Sequence, residues 1–177
     1  FEFGGIIDLD RKYYGLGSRL TYSKSNQNLF HQFQIGLESA FQIDERNRFL
    51  NLKGIQGTNV FSQIESFNNF AFYFLDEMRF NNWVFRSSIR FDNLSIGTDN
   101  FIFNKNYNVF NPSFGLSREI KNNQYFFINF STSFETPTLS ELSANPSGSE
   151  GLNLKLEPSK AFNYELGWKV SKPKFLI

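Results

Sequence analysis

The sequence predicts an all-β fold: an antiparallel up-and-down transmembrane β-barrel, present in part as about eight strands of a larger barrel. Three observations lead there. Apolar and polar residues alternate through most segments, and a period of two marks a strand with two unlike faces. Phe supplies 24 of 177 residues and aromatics 19%, yet mean hydropathy is −0.38, so the apolar side chains must be segregated rather than spread. Short connections also alternate with long ones, as in a meander whose two ends differ.

Taken in order, Phe1–Asp10 reads as the end of a strand, with Gly4-Gly5 as a bend and the charges Asp8, Asp10, Arg11 and Lys12 marking a loop. Tyr13–Ser25 places Tyr14, Leu16, Leu20 and Tyr22 on one parity. After the turn Ser25–Asn28 comes the clearest alternation: Phe33, Ile35, Leu37, Phe41 and Ile43 against Gln32, Gln34, Gly36, Glu38, Gln42 and Asp44. Asp44–Val60 is polar with two Gly and is expected to be a loop. Phe67–Phe80 is a strand whose continuous apolar centre leaves its facing unassigned. Asn81-Asn82 is a tight turn, because Asn tolerates positive φ. Trp83–Asn93 sets Trp83, Phe85, Ile89 and Phe91 against Arg86, Ser88, Arg90 and Asp92. Leu94–Phe110 is Asn-rich and reads as a second loop, followed by a short strand Asn111–Arg118 and a turn Glu119–Asn123. Gln124–Phe134 carries Phe126, Ile128 and Phe130 on one face. A third long loop, Glu135–Ser159, far exceeds the usual hairpin length of 2–5 residues. The strand Phe162–Val170 then opposes Tyr164, Leu166 and Trp168 to Asn163, Glu165, Gly167 and Lys169. No segment shows a helical period.

Composition removes several function classes. A net charge of +1 gives no basic excess for nucleic acid. Without Cys there is neither a disulfide scaffold nor a Cys-ligated metal, and a single His, His31, makes a His-based metal site or triad improbable. No Gly-rich phosphate loop, nucleophile elbow or spaced carboxylate pair occurs, so no enzyme and no cofactor is expected. No apolar run reaches the length of a transmembrane helix. Both ends read as cut within apparent strands, and residues 1–177 are expected to be one barrel domain truncated at each end. On the residues alone, a soluble β-sandwich stays open beside the membrane barrel.

The segment FETPTLSEL and, beyond the long loop, NLKLEPSKAFNYELGWK resemble the C-terminal half of TonB-dependent outer-membrane receptors. Phe134, Pro137, Thr138, Glu141 and Leu142 match that family's Phe-Arg-Ala-Pro-Thr-x-x-Glu-Leu box. Asn153, Leu154, Glu157 and Pro158 match its second box loosely, and Asn163, Tyr164, Glu165, Leu166 and Gly167 match the strand that follows. Upstream, YFLDEMRFNNWVFRSSIRFD and the pair NPSFGLSREI and YFFINFSTSF fall in the family's order, so the likeness spans Phe67–Lys169. Glu135 and Thr136 stand in place of the family's Arg-Ala, so no role of that Arg carries over. The resemblance implies a barrel of about 22 strands with an internal plug, in the outer membrane of a Gram-negative bacterium. It implies uptake of a scarce ligand, most often a ferric siderophore, driven by a TonB-type complex acting through a plug that this sequence lacks. A passive porin-like barrel and a soluble carbohydrate-binding β-sandwich are the alternatives. The absence of His between Thr138 and Leu152 lowers a haem reading.

The expected contacts follow from parity. Lipid meets Phe33, Ile35, Leu37, Phe85, Ile89, Phe126, Ile128, Phe130, Tyr164, Leu166 and Trp168. Arg86, Arg90, Glu165 and Lys169 are lumen candidates for ligand or plug, with solvated lining charges as the plainer reading. Glu135 and Glu141 flank the Pro137 turn and either meet a cationic ligand or cap the backbone. Asp44, Glu45, Arg46 and Arg48 read as a solvated loop cluster. The Glu135–Ser159 loop, on the extracellular side, is the segment expected to face ligand.

Overall fold

The computed structural model describes residues 5–99, 103–121, 123–143, 153–172 and 175–176. Seven long strands form one antiparallel sheet in sequence order: β1 (Gly5–Ser25), β2 (Leu29–Leu52), β3 (Ile55–Phe80), β4 (Trp83–Thr98), β5 (Phe103–Lys121), β6 (Gln124–Glu135) and β7 (Ser159–Lys172). A short helix, α1 (Leu139–Ser143), interrupts the connection from β6 to β7, and a two-residue strand β8 (Phe175–Leu176) pairs with the end of β7. Among the described residues no pairing joins β1 to β7 or β8, so the sheet is open.

Register fixes which residues share a face. Leu37, Phe72, Phe91 and Phe110 align across four strands, as do Ile35, Phe74, Ile89 and Pro112. Phe85, Leu116, Ile128 and Leu166 form a row nearer the short turns. All eleven residues singled out by apolar parity lie on this one face, and it is exposed: Leu166 keeps 68% and Tyr164 78% of its surface. The opposite face is polar and more enclosed, with Asp44 at 3% and Asp92 at 2%. A soluble sandwich would bury its apolar parity against a second sheet. Here the buried apolar residues among those described are Ala71, Leu94, Ile96, Tyr107, Val109 and Leu142, and they belong to the polar face or to the segment lying on it. Apolar outside and polar inside is the arrangement of a membrane barrel wall.

Several sequence expectations change. Asp8–Lys12 is not a loop but part of the first half of β1, with Asp8 opposite Asn47 and Arg11 opposite Asp44. Residues 1–4 lie outside the described residues. Asp44–Val60 is not a loop either: β2 and β3 run on to a tight turn at Lys53-Gly54, where φ is 56° and 92°. Leu94–Phe110 is likewise mostly strand, with Leu94 paired to Tyr107 and Thr98 to Phe103. Residues 100–102 at its tip are outside the described residues. The strand from Asn111 is therefore not short, since β5 has 19 residues. Helix α1 contradicts the all-strand reading locally. The facing of Phe67–Phe80 is settled by register, which puts Phe70, Phe72 and Phe74 with the apolar face and Ala71 and Tyr73 on the polar one. Tyr73 there covers Gly36, where a Cβ would stand 2.2 Å from its ring.

Candidate functional site

On the polar face, charges at every second residue of the upper strands build a ladder. Arg11 of β1 donates twice to Asp44 of β2, Nε to Oδ1 at 2.8 Å and Nη2 to Oδ2 at 2.6 Å. Arg46 of β2 donates to Glu65 of β3 at 2.7 and 3.2 Å. The Gln42 and Gln63 amides add bonds to Asp44 and Glu65 at 3.1 and 3.2 Å. Both ion pairs have the planar two-point geometry that makes arginine–carboxylate contacts strong and directional. On the other face Asp10, Lys12 and Glu45 end the apolar run at this height, so the ladder stands beyond the apolar band. The hydrogen bond from Arg11 holds the Asp44 carboxyl below the usual carboxylate range, and the bond that Arg46 donates to the Glu65 carboxylate raises the Arg46 guanidinium.

The ladder floors a cavity of about 530 Å³ whose other wall is Thr136–Ser140. That segment is placed by two local devices. Thr138 and Glu141 form a reciprocal cap on α1: the Thr138 backbone N–H and hydroxyl both donate to Glu141 Oε2, at 2.8 and 3.0 Å, and the Glu141 N–H donates to the Thr138 hydroxyl at 3.3 Å. The backbone bond holds the Glu141 carboxyl below its usual range. Leu142 is fully buried, and Leu139 and Phe134 pack on the cluster Leu94, Ile96, Tyr107 and Val109. The return segment is clamped as well. Lys105 Nζ donates to the Leu154 carbonyl, to the Leu156 carbonyl at 2.6 Å and to Glu157 Oε1 at 3.1 Å, while lying 4.8 Å from the Tyr107 ring. The Tyr107 hydroxyl also donates to the Leu156 carbonyl at 3.2 Å. The described parts of the Glu135–Ser159 connection are thus folded onto the polar wall. Residues 144–152 lie outside the described residues.

Arg86, Arg90, Glu165 and Lys169 all sit on the polar face, and they are not gathered at one point. Arg90 bridges Asp92 and Glu38, at 2.9 and 2.8 Å. Arg86 donates to Glu77 at 2.6 Å, and Glu165 accepts from Asn129 at 2.8 Å. Arg86 and Lys169 share a smaller recess of about 230 Å³ nearer the short turns. Glu135 is exposed at the end of β6, and Glu141 is engaged in the cap. His31 bonds Asp76 at 2.6 Å on the apolar face. The group that reading by sequence passed over is the ladder itself. Asp44 and Arg46 are not solvated loop charges but paired strand residues. Their signal was the spacing Gln42, Asp44, Arg46 and Gln63, Glu65, one charge or amide at every second position.

A family model described as TonB dependent receptor-like, beta-barrel, matches residues 2–177. The chain belongs to this family. Its members reside in the outer membrane of Gram-negative bacteria, and the open seven-stranded sheet corresponds to part of their barrel. Solved receptors share the fold. The ferric preacinetobactin receptor BauA from Acinetobacter baumannii superimposes with a TM-score of 0.76 at 13% identity, over 94% of this chain and 27% of BauA. The unliganded ferric citrate transporter FecA gives 0.75 at 19% identity, over 94% of this chain and 26% of FecA. The ferric-catecholate import receptor Fiu from K12 E. coli, in its closed form, gives 0.71 at 16% identity, over 95% and 30%. The chain therefore spans between a quarter and a third of the length of these receptors.

Proposed function

We propose that this receptor barrel segment serves TonB-energised uptake of a scarce chelated ligand, a ferric siderophore. In this reading residues 1–177 are one portion of the barrel domain, a plug supplied elsewhere in the protein contacts the TonB-type complex, and the exposed apolar face meets lipid. The observation that carries the reading is the enclosed polar wall, whose ion-pair ladder and folded-back segment frame a cavity above the apolar band. A bulky polar complex needs such a wall, because fixed donors and acceptors replace its hydration without an apolar trap. Arg90 and Arg86, with Lys169 beside Arg86, are the lower-wall cations for plug or ligand. Glu135 is exposed at the end of β6 and is open to ligand, whereas the cap leaves Glu141 a structural role. Glu165, held by Asn129, lines the same wall.

The test uses the full-length receptor in a receptor-deficient strain under iron starvation. Growth should be rescued by one or more ferric citrate, catecholate or hydroxamate complexes, and only when the TonB complex is intact. Rescue that persists without that complex would mean passive diffusion. TonB-dependent accumulation of copper(II) by the same strain, with no ferric complex active in rescue, would overturn the siderophore assignment and leave the energised receptor standing.

A further inference from the structure

One row of the apolar face differs from the rest. Trp83 of β4, Arg118 of β5, Phe126 of β6 and Trp168 of β7 stand in direct register across four strands. Both tryptophans of the chain are in this row. Between them is Arg118, exposed, with its guanidinium carbon 4.8 Å from the Trp83 ring centroid. No carboxylate among the described residues lies within ion-pair distance of it. Glu119 next to it points its carboxylate to the Asn123 N–H, at 3.0 Å. From this row through the apolar span of β4–β7, every other residue on the face is uncharged: Phe85, Ser87, Ile89 and Phe91, for example, on β4. On the neighbouring strands the Asp76 carboxylate is met by His31 Nε2 at 2.6 Å. The row also has a fixed depth. Trp83 directly follows the Asn81-Asn82 turn and Phe126 lies just past the Asn123 turn, so the row borders the end of the sheet opposite the long β6–β7 connection, which is the periplasmic end of such a barrel.

We infer that Arg118, lying over the Trp83 ring, binds the phosphodiester of a glycerophospholipid in the periplasmic leaflet of the outer membrane. The argument is charge complementarity at a set height. Aromatic residues of this kind mark the headgroup level, and phosphate is the anion found there. A guanidinium offers two parallel N–H donors to phosphate oxygens, and its contact with the Trp83 ring restricts the side chain before the lipid arrives. The acyl chains then lie along Phe85, Leu116, Ile128 and Leu166, the adjacent apolar row. The inference rests on the outer-membrane placement of the barrel and not on what it transports.

The full-length receptor, purified in mild detergent, is titrated with phosphatidylglycerol under native mass spectrometry, with heat-modifiable gel mobility as the check on folding. Arg118→Gln should weaken the tightest lipid site about tenfold, in line with loss of a charge-assisted two-point contact. Trp83→Leu keeps the charge, removes the stack and should weaken the site by a smaller factor. A phosphate-free galactosyl diacylglycerol should not compete. Equal phosphatidylglycerol binding by folded Arg118→Gln, or equal retention of the galactolipid, would overturn the proposal. If Arg118→Gln does not fold, unchanged affinity in Trp83→Leu would overturn the oriented site. Preferential displacement by lipid A would overturn the assigned leaflet.

Discussion

At the residue level the informative groups are the paired charges of the upper wall. Asp44 is almost fully enclosed, while the Arg11 side chain is half exposed. The aspartate therefore depends on its partner more than the arginine does, because an enclosed carboxylate has lost its water. The pair has a definite acid signature. Folding lowers the Asp44 pKa below its unfolded value of about 3.9, so its stabilisation is complete above that pH. It is lost as pH falls through the lowered folded value. In the full-length receptor, the stability difference between wild type and Asp44→Asn, read by urea unfolding, should be largest near neutrality and shrink below about pH 4. A difference constant from pH 7 to 2 would show that the pair contributes through something other than its charge.

Among the elements, α1 and the clamped return segment carry the most specific expectation. Lys105→Met removes three donated bonds, and the amides of Asn153 and Leu156, which bond the Leu142 and Asn153 carbonyls, should lose roughly tenfold or more in hydrogen-exchange protection, as expected for 1.5–3 kcal/mol per charged hydrogen bond. Thr138→Ala should act only within α1, at about 1 kcal/mol. Unchanged protection at Asn153 in Lys105→Met would mean that packing of Leu142 alone holds the segment. The sequence pattern Thr138-x-x-Glu141 was visible as a turn flanked by acids, and capping was already one of its readings. The helix was not, because five residues are too few to show a period. Strands at the level of the apolar band were legible, since unlike faces give alternation through Phe33–Ile43 and put Phe126, Ile128 and Phe130 on one side. Above the band water lies on both sides, nothing imposes alternation, and Asp44-Glu45-Arg46-Asn47-Arg48 looked like a loop although it is paired residue by residue. The every-second spacing of Gln42, Asp44 and Arg46 marks the ladder's residues but not their partners, which depend on register between β1, β2 and β3.

For the whole molecule, the open sheet sets what this chain does alone. Among the described residues β1 pairs only with β2, and its other edge presents unpaired backbone groups that cost several kcal/mol each in lipid. The 177-residue chain expressed alone with an export signal should give no heat-modifiable monomer in outer membranes. Recovery of one would mean the sheet closes or self-pairs. The length of the strands has another consequence. The 24 residues of β2 extend roughly 80 Å at about 3.3 Å each. At the usual tilt that is roughly 60 Å of height, against an apolar band about 25 Å tall. With the short turns near the lower boundary, the rim stands about 30 Å clear of the lipid. Ionic screening decays over about 8 Å at physiological salt, so the rim is several decay lengths from the anionic bilayer surface. An approaching anionic chelate would feel the field of the rim's own arginines and acids, and almost none of the repulsion of the cell surface beneath it.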